Sequence, residues 1–215
     1  MLLHEVAFGV RPEDLFAALC DRPQCFFLDS ALSAAGLGRF SFIGFDPFLV
    51  CCVRGDEITL TQNGRTETRP GDAILELRRL FARYRAPTSA ALPFAGGAVG
   101  YFSYEFGLRF ERIARSSADD LGLPDAELGF YDGVVAFDHA RRRTFIAAHS
   151  VAGSDEPAIV RRVEAAVREA LASRGRAPRA MRSPAAAHVP RANFSKAAYL
   201  RAVRRIKDYI AAGDV

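Results

Sequence analysis

Between residues 25 and 69 the apolar positions come in short runs, at 25–29, 39–46, 48–53, 57–61 and 66–69, rich in Phe, Ile, Val and Thr and broken by Gly, Pro, Asp or Asn. Runs of this length and composition predict strands. Asn63-Gly64 lies between two of them and is the dipeptide favoured in a two-residue hairpin turn. So many strands in so little chain leave no room for crossover helices, so antiparallel pairing is expected. Residues 2–10 predict an opening strand, and Pro12, Glu13 and Asp14 then suit the first turn of a helix over 15–20.

Residues 72–84 change period: Ile74, Leu77, Leu80, Phe81 and Tyr84 recur at helical spacing, predicting a helix that covers the sheet. Residues 128–138 and 144–149 predict two more strands. Residues 155–171 predict a helix with Ile159, Val163, Ala166, Val167 and Ala170 along one stripe. A final helix runs from Ser195 as N-cap through Tyr199, Val203, Ile206 and Ile210 to Gly213. The fold class expected is α+β, antiparallel β-sheets with packed helices. Gly96, Gly97 and Gly100 are unfavourable in an ordinary strand and imply a close backbone approach. The Ala-, Arg-, Pro- and Ser-rich stretch at 173–192 has no apolar period and is expected to be an exposed linker.

Composition narrows the function classes. With 215 residues and 50% hydrophobic content the chain can bury a core. No apolar run approaches the roughly 20 residues of a membrane span, and the N-terminal segment lacks a signal peptide's pattern, so a cytoplasmic protein is expected. The net charge of +4 is spread along the chain, and the run 141–143 fits a hairpin turn. With no nucleic-acid motif and no platform of aromatic and basic residues, nucleic acid is not an expected partner. Cys20, Cys25, Cys51 and Cys52 lack zinc-site spacing and are expected reduced and mostly buried. His4, His139, His149 and His188 likewise show no ligand spacing and are expected at the surface or in turns.

The most specific stretch is Phe27-Leu28-Asp29-Ser30, a variable turn, then Gly38-Arg39-Phe40-Ser41-Phe42-Ile43-Gly44 with Asp46-Pro47. It resembles the N-terminal domain shared by anthranilate synthase component I and aminodeoxychorismate synthase component I. Further blocks occur in the family's order: Gly96-Gly97-Ala98-Val99-Gly100-Tyr101-Phe102 with Glu105, then Pro124-Asp125-Ala126, Phe130-Tyr131-Asp132 and Phe137-Asp138-His139, and finally Tyr199 with Ile206-Lys207-Asp208-Tyr209 and Ala212-Gly213-Asp214.

The resemblance implies an incomplete half of that family's β-sandwich fold. It divides the chain into an N-terminal domain over 1–172, the linker 173–192, and the first helix of the chorismate-binding domain over 193–215. The family's catalytic acids and histidine and its magnesium-binding glutamates all match positions past Val215. No catalytic residue and no metal ligand is therefore expected in this chain; magnesium belongs to the full-length enzyme.

Carried over position by position, Leu28, Asp29, Ser30, Leu37, Gly38, Arg39 and Phe40 line a tryptophan-type pocket. A zwitterion needs an acid or hydroxyl near its ammonium, a guanidinium near its carboxylate and apolar walls. The plainer alternative stays open, in which Arg39 and Asp29 form a cross-strand ion pair worth about 0–1 kcal/mol.

The short N-terminal lead and the Phe-Leu-Asp-Ser motif favour the aminodeoxychorismate branch. The full-length partners would be chorismate and a glutamine amidotransferase subunit, met through residues 105–110 and neighbouring loops. An anthranilate synthase domain and a free-standing amino-acid-binding module remain as rivals.

Overall fold

The computed structural model describes residues 1–30, 38–86, 91–110, 119, 121–151, 153–173 and 192–214. The chain divides into two compact units, Met1–Pro178 and Arg179–Val215. Most of the expected linker 173–192, with His188, lies outside the described residues.

In the first unit the order is β1 Leu2–Val6, α1 Pro12–Leu19, β2 Phe26–Leu28, β3 Phe40–Gly44, β4 Leu49–Arg54, β5 Glu57–Gln62, β6 Arg65–Pro70 and α2 Ala73–Arg83. β7 Gly97–Phe102, a 3-10 helix at Tyr104–Arg109, β8 Ala126–Tyr131, β9 Gly133–Asp138, β10 Arg143–Ala148 and α3 Glu156–Ala172 follow. The strands form two five-stranded sheets, β1-β10-β9-β3-β2 and β6-β5-β4-β8-β7. Every pairing is antiparallel, as expected for an α+β fold.

The first sheet is covered on both faces. Ile43, Val135 and Ile146 pack against Leu15 and Leu19 of α1 and Ile159, Val163 and Val167 of α3. Phe42, Val134, Ala136 and Ala147 pack the other way, against Leu92, Ala95 and Tyr131. The second sheet is covered by α2, whose Leu77 and Leu80, with Tyr84 just after it, meet Leu49, Cys51, Ile58 and Phe130. Helix α2 starts at Asp72, whose carboxylate accepts from the amides of Ile74 at 2.8 Å and Leu75 at 3.1 Å. That satisfies two of the amides a helix start leaves open. The hairpin turn at Asn63-Gly64 has both residues at positive φ, 52° and 73°, as a type I′ turn requires.

Four expectations are corrected. The run 128–138 is two strands, not one: β8 belongs to the second sheet and β9 to the first, with Asp132 at the crossing. Both strands are buried on both faces, so their apolar pattern runs through the junction unbroken. The opening strand stops at Val6 rather than reaching residue 10.

His149 is buried rather than at the surface, donating through Nδ1 to the Ala95 carbonyl at 3.2 Å. Its ring fills the space beside Gly96, where a Cβ would lie 2.5 Å from Cε1. Among the cysteines only Cys51 is buried, while Cys20 is exposed; all four are free thiols. Adjacent Cys51 and Cys52 on β4 point to opposite faces of the sheet and cannot meet.

The expected close approach at the glycine run is present. A Cβ on Gly100 would sit 1.9 Å from the Glu127 carbonyl oxygen of the neighbouring β8.

The second unit holds α4, Lys196–Ala212, capped by Ser195, whose Oγ accepts from the Ala198 amide at 3.2 Å, and by Gly213 at φ 79°. Tyr199, Ile206 and Ile210 are exposed on it. Among the described residues no helix is long and apolar enough to cross a membrane.

Candidate functional site

The expected pocket residues gather where β2, β3 and β9 end side by side in the first sheet. Leu28 pairs with Phe42, and Phe40 pairs with Asp138 across the next strand boundary. Side chains alternate along strands, so Leu28, Phe40, Phe42 and Asp138 share one face while Ser41 points to the other.

Arg39 lies just before β3 and its guanidinium reaches Asp138 in a fork, Nε to Oδ1 at 3.1 Å and Nη2 to Oδ2 at 2.6 Å. Its guanidinium carbon lies 4.6 Å from the Phe40 ring centroid. Asp138 is only 3% exposed, and its Oδ1 also accepts from the Arg141 amide at 3.1 Å. Hydrogen bonding from Arg39, aided by that amide, holds the Asp138 carboxyl below the usual carboxylate range, and the same bond raises the Arg39 guanidinium. The fork uses two of the five N–H donors of Arg39, so the remainder are available to a second anion.

On the opposite face Ser41, fully buried, is a hub. Its Oγ lies 3.0 Å from Asp29 Oδ1, 2.7 Å from His139 Nε2 and 3.2 Å from the Ser30 amide. Valence fixes the proton directions. An amide can only donate and an ionised carboxylate can only accept, so Ser41 accepts from Ser30 and donates to Asp29. Its remaining lone pair then accepts a hydrogen bond from His139, which carries its hydrogen on Nε2 in that arrangement. This is not a nucleophile and base oriented by an acid, because Asp29 binds the serine and leaves the histidine unoriented.

The expected set is therefore divided. Leu28, Phe40 and the Arg39 guanidinium lie together beside Asp138, while Asp29 and the Ser30 amide are both held by Ser41. Gly38 takes φ 73° at the entry to β3, and Leu37 lies outside the described residues. The alternative, a cross-strand pair between Arg39 and Asp29, is not formed; Asp138 takes the guanidinium.

Ser41, Asp138 and His139 were not singled out for the site from sequence, although both blocks that contain them had been noted. Their signal was the pairing of the Arg-Phe-Ser and Phe-Asp-His blocks on adjacent antiparallel strands, legible only once β3 and β9 are known to be neighbours. Among the described residues no three His, Cys, Asp or Glu side chains are placed to hold a metal ion.

Comparison with known proteins bears on this arrangement. The profile of the chorismate binding enzyme family matches residues 40–215. Anthranilate synthase component 1 of Streptomyces coelicolor is 32% identical over 96% of this chain and 39% of its own length. Its counterpart in Pseudomonas aeruginosa is 34% identical over 94% of this chain and 43% of its length. Aminodeoxychorismate synthase component 1 of Escherichia coli is 29% identical over 64% of this chain. The crystal structure of anthranilate synthase component I from Streptococcus pneumoniae superposes with a TM-score of 0.50 at 21% identity, over 79% of this chain and 36% of that one, a likeness of fold. The chain spans about two-fifths of the length of the curated relatives it matches.

Proposed function

The chain belongs to the chorismate binding enzyme family, and from that premise we propose that it is the front part of an aminodeoxychorismate synthase component I, an enzyme that aminates chorismate, with an amino-acid pocket and no active site of its own. Coverage supports the front-part reading: anthranilate synthase relatives align over 94–96% of this chain, which spans only 39–43% of their length. The Phe27-Leu28-Asp29-Ser30 motif supports the aminodeoxychorismate branch. The anthranilate branch has support of its own, since a relative of that name aligns over 94% of this chain and the aminodeoxychorismate relative over 64% of it.

In this reading a glutamine amidotransferase subunit delivers ammonia in the cytoplasm, near the exposed Tyr104 and Phe110. Magnesium serves the complete enzyme. The described residues offer no fitting set of ligands for it.

The deciding experiment follows the reading frame past Val215 and assays the complete gene product with chorismate, magnesium and ammonia. Formation of 4-amino-4-deoxychorismate is expected, with none from the 215-residue chain alone. Anthranilate as the product would transfer the chain to the other branch, and turnover by the chain alone would overturn the reading.

The pocket is proposed to take tryptophan, its carboxylate on the free donors of Arg39, its indole against Leu28 and Phe40, and its ammonium near Ser30. Arg39→Ala is a poor test, because it would leave buried Asp138 without its cation. Arg39→Lys keeps a cation beside Asp138 but loses the planar fork. Calorimetry on the complete protein is expected to show tryptophan binding weakened about tenfold by Arg39→Lys, consistent with the loss of one charge-assisted hydrogen bond. Equal affinity in both would place the carboxylate elsewhere.

A further inference from the structure

A cavity of about 390 Å³ opens on the Phe42 face of the first sheet, across β1, β10 and the turn after β9. Leu3 of β1, Phe145 of β10 and Leu92 form its apolar walls. Its size lies in the range of small-molecule sites.

Its charged groups are unequally engaged. Both oxygens of Glu5 accept from Arg143, one of the bonds being 2.7 Å. Asp138 is forked to Arg39 and bonded to the Arg141 amide. Those two acids are thus matched by two guanidinium groups. The Arg141 side chain also lines the cavity; among the described residues no ion pair at contact distance engages it, and its charge acts on Asp138 from farther away.

We infer that this cavity binds a small carboxylate with an apolar body, an aromatic or branched monoanion, with the Arg141 guanidinium as partner of the carboxylate. The balance of charge selects the class. A zwitterion would find no uncommitted acid for its ammonium, and a dianion would find one guanidinium without a contact ion pair for two charges. A neutral apolar molecule would leave the guanidinium unused, whereas a carboxylate meets it in the two-point geometry that makes arginine the preferred anchor for such groups. The site lies within the first unit and stands independently of the family reading.

The test titrates 3-phenylpropionate calorimetrically into the 215-residue chain, with 3-phenylpropionamide as the uncharged probe. Saturable binding of the acid is expected, weakened about tenfold or more by Arg141→Gln and to a similar degree in the amide. Arg142→Gln, one residue along the turn and outside the cavity lining, is expected to leave it unchanged. Arg141 is exposed, so its variant is expected to fold normally, with circular dichroism as the check. Amide chemical-shift changes should centre on Leu3 and Phe145. No saturation at millimolar acid, equal binding of acid and amide, or equal binding by wild type and Arg141→Gln would each overturn the proposal.

Discussion

Strands β9 and β6 show how differently the two sheets are built. All six residues of β9 are buried, with helices on one side and the segment around Leu92 and Ala95 on the other. Five of the six in β6 are exposed. The second sheet has one covering helix, and its outer hairpin is closed by threonine pairs, Thr59 with Thr68 at 2.9 Å and Thr61 with Thr66 at 3.0 Å.

An open edge of this kind invites pairing with another chain, and β6 resists it with Arg65, Glu67, Arg69 and Pro70. The groove beside it, about 920 Å³, is lined by charges of both signs, with Arg69 bonded to buried Glu76 at 2.8 Å. The first sheet thus contributes most of the burial, while the outer strands of the second are held by pairing and polar contacts.

The sharpest way to break this comparison is to remove side chains from each sheet. Ile146→Ala, at a site with no exposure between α3 and the sheet, should lower stability by about 2–5 kcal/mol. Thr68→Ala on β6 should change it by no more than about 0.5 kcal/mol. Equal losses in urea denaturation would mean that the second sheet carries as much of the fold as the first.

A smaller effect refines the picture for β7, which is also an edge strand but is pressed against its neighbour. Gly100→Ala must push the Glu127 carbonyl aside and should cost about 1–3 kcal/mol. A melting temperature unchanged by this substitution would show that β7 is as loosely held as β6.

The smallest expected effect is one of pH. Burial lowers the pKa of His149 from its ordinary 6.5. The unfolded chain therefore binds a proton at His149 more readily than the folded one, and stability falls as pH drops below about 6.5, levelling off below the folded value. The slope should not exceed about 1.4 kcal/mol per pH unit. His149→Gln should flatten it even if the variant is less stable throughout. An unaltered slope would assign the acid sensitivity to other groups.

These contrasts also explain what could be read from sequence. Helix α3 was legible because its buried stripe, Ile159 to Val167, faces a core on one side only. The β5–β6 hairpin was legible because Asn63 and Gly64 tolerate positive φ. The division of 128–138 was hidden by burial on both faces, which erases the alternation that marks where a strand turns. His149 was misplaced because the cavity that receives it is made by Gly96, more than fifty residues earlier.

The candidate site was half legible. The motif located β2 and β3, but the partner of Arg39 sits on a strand 99 residues away, and pairing order does not follow from local pattern. Asp29 and Arg39 were named together because they are close in sequence. Their partners separate them, Asp138 holding the Arg39 guanidinium and Ser41 holding Asp29.

The crossing at Asp132 ties the two sheets mechanically. β8 lies between β4 and β7 in one sheet, and β9 lies between β10 and β3 in the other. Asp132, 5% exposed, is fastened there by Arg162 of α3 and by the His149 amide, which donates to its carbonyl oxygen at 2.9 Å. Neither sheet can peel away without dragging an interior strand out of the other. Hydrogen exchange at the amides of β8 and β9 should therefore follow a single opening event, with both strands losing protection together.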